Sequence, residues 1–111
     1  MKISTTIKKK YFEMKLEDLK RDDHFFEYKE EKEFWSKRIS KISVDDTGKP
    51  LERTEIVFLV GKNPYWFEIE QIVYTTVIPE KYADAVKTEY VYAIKCINKT
   101  SEIRNESLFN F

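Results

Sequence analysis

The chain has 111 residues, which suits one domain, and 41% hydrophobic with 15% aromatic residues suffices for a packed core without staples. Twenty Lys and Arg balance twenty Asp and Glu. The net charge of zero excludes a large uniform electrostatic footprint for nucleic acid, although a local basic patch stays open. A single cysteine, Cys96, excludes an internal disulfide and fits an intracellular, cytoplasmic setting. The opening residues Met1-Lys2-Ile3-Ser4-Thr5 lack the apolar core of a signal peptide. No stretch has the length of a membrane span, so no membrane partner is expected. Two Gly and three Pro leave no flexible linker or low-complexity region, and no repeat is visible.

Residues 2–7, rich in Ile and Thr, predict a first strand. Residues 8–21 predict a helix, with Phe12, Leu16 and Leu19 at i, i+4 and i+7 among Lys and Glu. Residues 24–29 predict a strand with Phe26 and Tyr28 on one face and Phe25, Glu27 and Lys29 on the other. Residues 30–42 predict a second helix. Trp35, Ile39 and Ile42 form its apolar stripe, and Phe34, Lys37, Arg38 and Lys41 form a neighbouring one. Asp45-Asp46-Thr47-Gly48-Lys49-Pro50 is the clearest loop.

The apolar run 54–60 predicts a buried strand, joined through Gly61-Lys62-Asn63-Pro64 by a tight turn to a strand over 65–77. That second strand is long enough to invite a bend or bulge. Simple alternation puts Phe67, Ile69 and Val73 on one face and Trp66, Glu68, Glu70, Ile72 and Tyr74 on the other. Pro79 can open a short helix over 79–86, and 89–97 predicts a last strand carrying Tyr90, Tyr92, Ile94 and Cys96 on one face. The terminal Leu108-Phe109-Asn110-Phe111 is too apolar for a plain solvated tail and is expected to dock on this chain or a partner, a second copy included. The order is β, α, β, α, then several strands with one short helix. Segregated strands of this kind indicate an α+β domain or a barrel with helical caps.

Several constellations could carry chemistry, each with an ordinary structural alternative. Lys37, Arg38 and Lys41 beside Phe34 offer cations for phosphates and a ring for stacking; a solvated face with a Glu33–Lys37 pair is the alternative. Trp35 is a core plug or a stacking platform, and Trp66 shares its face with carboxylates, as a pocket rim would. Glu68 and Glu70 form a carboxylate pair suited to acid–base work or to a polar outer face. Glu27 and Lys29 form a proton-transfer pair or a cross-strand ion pair. His24, the only histidine, and Cys96 make no zinc signature, so no metal is expected. Gly48 and Gly61 stand too far apart for a phosphate-cradling loop, and no cofactor is expected.

Lys10-Tyr11-Phe12, the first helix, Glu27-Tyr28-Lys29, Phe34-Trp35-Ser36-Lys37-Arg38 and Val57-Phe58-Leu59-Val60-Gly61-Lys62 resemble the small ASCH domains, relatives of the PUA fold with many bacterial and phage members. The resemblance covers residues 2–97 and rests on order and spacing. It implies one PUA-like α+β domain: a β-barrel of five to six strands with two or three helices flanking a cleft, and an RNA-related function. Some members are amidohydrolases acting through a Lys, a Thr and a Glu. The positions corresponding to that Lys and Thr hold His24 and Glu27, with Glu68 or Glu70 available as the later Glu. The leading expectation is a module that binds RNA or a nucleotide, with Lys29, Lys37 and Arg38 on phosphate and Trp35 or Trp66 on a base. The alternatives are a small hydrolase acting on a modified nucleoside or RNA, centred on His24, Glu27 and Glu68 or Glu70, and a phage-type protein-binding inhibitor or adaptor.

Overall fold

The computed structural model describes residues 1–98; the expected docking segment 108–111 lies outside the described residues. Strand β1 (Lys2–Thr6) leads into helix α1 (Lys9–Asp22), strand β2 (Phe25–Glu30) and helix α2 (Glu33–Ser40). Strands β3 (Glu55–Val60) and β4 (Asn63–Thr75) form the hairpin, followed by a 3₁₀ segment (Glu80–Ala85) and strand β5 (Val91–Ile97). The five strands make one mixed sheet in the order β1-β3-β4-β5-β2, curled into a half-barrel with the three helical segments. Among the described residues only β1 and β3 pair in parallel. Among the described residues no helix is long and apolar enough to cross a membrane.

Helix α1 forms where Phe12, Leu16 and Leu19 line one stripe, and all three are buried. It stops at Asp23, which takes the left-handed conformation (φ 63°) and donates its N–H to the Leu19 carbonyl at 2.9 Å. The inward residues of the strands meet this stripe. Phe25 stands edge-on to Phe67 with centroids 5.0 Å apart, and Phe12 lies 4.9 Å from Tyr65. Rings of this size dominate the burial energy of a small core. Helix α2 contributes Ile39, with Ile42 just beyond its end, and Trp35 packs against the same cluster.

The predicted faces of β4 are correct only as far as Ile69. Its pairing with β5 slips between Ile69 and Gln71, a bulge that inserts one residue. Beyond it the alternation inverts: Ile72 packs on the core and Val73 is exposed. The loop before β3 sits against this bulge. Ile72 N–H donates to the Gly48 carbonyl at 2.9 Å, and the Gln71 amide donates to the Thr47 carbonyl at 2.7 Å. The Asp45 carboxylate accepts from the Thr47 hydroxyl and from the Thr47 and Lys49 N–H groups, which holds it below the ordinary carboxylate range.

Gly48 has φ +89°, and a Cβ there would lie 2.4 Å from the Ile72 carbonyl oxygen; Gly61 has φ +62° with open space around it. Gly48→Ala should therefore cost about 2 kcal/mol or more in urea unfolding, and Gly61→Ala about 1 kcal/mol. Equal losses at the two positions would contradict the close approach of loop and bulge.

Candidate functional site

The two edge strands of the half-barrel, β1 and β2, are not joined by a backbone ladder. Side chains cross the gap between them. Glu27 and Lys29 alternate with Phe25 on the inner face of β2, so both point under α1 and toward β1. Lys29 donates to the Thr5 hydroxyl of β1 and ion-pairs with Glu27 Oε2 at 3.1 Å. Lys15, projecting from α1, ion-pairs with Glu27 Oε1 at 3.1 Å and donates to the Phe26 carbonyl at 2.7 Å.

Each ammonium meets three kinds of partner. Lys15 has a carboxylate oxygen, a carbonyl oxygen and the Tyr82 ring, 4.1 Å from its centroid. Lys29 has a carboxylate oxygen, a hydroxyl and the Trp35 ring at 4.6 Å. An ammonium has three donors and no acceptor, so these contacts satisfy it in a place where water is scarce. The Lys15 side chain is 2% exposed and that of Glu27 9%. Desolvating such charges costs several kcal/mol per ion, and only multiple good contacts offset it.

A cleft of about 520 Å³ opens beside this cluster. Lys15, Glu27 and Lys29 form its floor, and Tyr11, Tyr28 and Tyr82 its aromatic lining. Lys8 stands among the lining residues, and Leu59 and Gly61 reach it from the β3–β4 hairpin. Three lysines against one glutamate leave the lining net positive. The volume lies in the usual range for small-ligand sites.

The 3₁₀ segment is tied over the cleft by Asp18 of α1. Its carboxylate accepts from Lys81 at 2.6 Å, Tyr82 Oη at 3.0 Å and Arg21 at 3.0 Å. Burial pushes Asp18 upward, but these donors together outweigh it and hold the group below its ordinary range. Burial, aided by the negative charges of Asp18 and Glu27, pushes the Tyr28 phenol up to about 12. Tyr82 moves the same way, through burial and its bond to Asp18. Both phenols are therefore neutral O–H groups near pH 7.

The structure brings Glu27, Lys29 and Trp35 together and places the other sequence candidates away from the cleft. His24 stands edge-on to Phe26 at the start of β2 and does not line the cleft. Glu68 pairs with Arg53 at 2.7 Å, and Glu70 with Lys95 at 2.9 Å, both away from the cleft. Lys2 lies over the Trp66 ring at 5.1 Å. Lys37 pairs with Glu33 at 3.0 Å, and Arg38 covers Phe34 at 4.3 Å, on the outer side of α2. Cys96 is fully buried, and desolvation pushes its thiol far up, which suits packing.

Sequence reading missed Lys15, Asp18, Tyr11, Tyr82 and Thr5. A signal for three of them exists: Tyr11, Lys15 and Asp18 repeat at i, i+4 and i+7, one residue before the apolar stripe Phe12, Leu16 and Leu19. The spacing puts the three on one helix face, and the structure shows that Lys15 and Asp18 on it are buried. Thr5 and Tyr82 carry no comparable local signal. Among the described residues no group of three or more His, Cys, Asp or Glu is placed to hold a metal. No protein-family model, curated protein or solved structure matches this chain.

Removing Lys15 would leave Glu27 buried with one of its two cations. Lys15→Met should cost about 3–5 kcal/mol in urea unfolding. The exposed Lys37→Met should stay within about 0.5 kcal/mol of wild type. A Lys15→Met variant as stable as wild type would contradict the cluster's structural role.

Proposed function

We propose that the protein is a binding module for a nucleotide, or for a nucleotide unit of RNA, in the cleft over the β1–β2 gap. The observation that carries this reading is a net-positive floor, Lys15–Glu27–Lys29, beneath a lining of three tyrosines. A phosphate is drawn to the excess ammonium charge, with Lys8 as a further donor. A base can stack on a flat phenol ring, and Tyr11 and Tyr28 are both part-exposed. The neutral Tyr28 hydroxyl adds a donor. The half-barrel with its three helical segments, together with the resemblance of residues 2–97, supports reading the domain as ASCH-like within the PUA-like folds.

The Thr5 hydroxyl accepts from Lys29 and donates to the Thr6 carbonyl at 3.2 Å, so both of its hydrogen-bonding roles are met within the protein.

Calorimetric titration with a nucleoside monophosphate at low salt should give saturable binding that weakens as salt rises. The matching nucleoside without phosphate should bind at least about tenfold more weakly, as expected when a charge-assisted bond is missing. Tyr11→Ala should cost about tenfold, in the range of removing one base–aromatic stack. No binding of purine or pyrimidine nucleotides at low salt would overturn the reading.

A further inference from the structure

A second feature, away from the cleft, is a groove of about 420 Å³ between the start of β1 and the outer side of α2. Lys2, Lys37, Arg38 and Lys41 line it, with Phe34 among them. No carboxylate lines the groove, although Glu33 pairs with Lys37 from its edge at 3.0 Å. Both partners of that pair are largely exposed, so it yields readily to a competing anion. In a chain of zero net charge, four cations around one surface hollow are a local segregation.

The aromatic residue here is also unusual. Phe34 is 57% exposed, with the Arg38 guanidinium over one face of the ring, 4.3 Å from its centroid, and Trp35 edge-on to it at 5.2 Å. A flat exposed ring beside a planar cation matches what an unpaired base and its phosphate present together.

A relay of side-chain contacts runs from the groove to the cleft. Arg38 contacts Phe34, Phe34 contacts Trp35, and Trp35 carries Lys29 on its face. Lys29 is part of the cleft floor. Strand β1 runs from Lys2 in the groove to Thr6 in the cleft, about 13 Å at the usual rise per residue.

We infer that the ligand is a single strand of nucleic acid, whose backbone lies in the α2 groove while one nucleotide enters the cleft. This rests on the cleft reading above for the nucleotide end, while the groove makes its own prediction. Direct stacking on Phe34 favours unpaired bases, because a duplex keeps its base faces covered.

Filter binding with a uridine or thymidine oligonucleotide of about ten residues tests this, since single-strand sites span about 4–16 nucleotides. The oligonucleotide should bind at least about tenfold more tightly than the mononucleotide. Phe34→Ala with Arg38→Ala should remove at least about tenfold of that affinity, in the range of one base–aromatic stack plus one phosphate ion pair. Arg38→Ala with Lys41→Ala should make the log–log salt slope shallower by about 1.4, or about 0.7 for each phosphate no longer neutralised. These side chains are exposed, so the variants should keep the wild-type unfolding curve, and mononucleotide affinity should not change. Comparing the RNA and DNA oligomers shows which sugar the track prefers. Oligonucleotide binding that ignores the groove variants, or is no tighter than that of the mononucleotide, would overturn the inference. So would an oligoglutamate of equal charge that binds as tightly as the oligonucleotide. If the oligonucleotide depends on the groove while the mononucleotide does not bind, the groove stands and the cleft reading fails.

Discussion

The carboxylate of Glu27, shared between the ammonium groups of Lys15 and Lys29, is the interaction on which the rest of the structure depends. Among the described residues, a five-stranded sheet of this order leaves two edges, β1 and β2, with no ladder between them. Unpaired edges invite association with other chains unless something covers them. Here helix α1 covers the gap, and the Lys29–Thr5 bond crosses it. Glu27 offsets the desolvation of both lysines, and they offset its own.

This arrangement also sets the local charge of the cleft in a chain without net charge. Two cations balanced by one anion leave an excess positive charge at the floor of a partly desolvated cleft, where its field is less screened than on the surface. The Asp18 carboxylate, one turn along α1 from Lys15, binds Lys81 and the Tyr82 hydroxyl. It thereby fixes the Tyr82 ring over Lys15. One helix face, Tyr11–Lys15–Asp18, thus sets the lining, floor and cover of the cleft. The stripe beside it, Phe12–Leu16–Leu19, anchors the same helix in the core.

Order and type of elements were legible in the sequence because the helical stripes and apolar runs are strongly periodic. The faces of β4 were legible up to Ile69, where an inserted residue breaks the two-residue period with no marker glycine or proline at the bulge. At the site, Glu27 and Lys29 stood out because charges alternate there with large aromatics on a short strand. Lys15 did not stand out, because a lysine on an amphipathic helix ordinarily reads as solvated. Its burial depends on a helix-to-strand contact that only the tertiary fold creates. Thr5 and Tyr82 come from distant segments, 24 residues before Lys29 and 64 after Asp18. No local pattern encodes such pairings.

The central claim is that side chains around Glu27, and not a backbone ladder, hold the edges of the half-barrel together. Native-state hydrogen exchange on the Glu27→Gln variant tests it most directly. The account predicts that amides of β1 and β2 lose protection through local opening, while those at the centre of β3, β4 and β5 keep theirs relative to global stability. Unchanged protection at β1 and β2, or a loss spread evenly over all five strands, would contradict it.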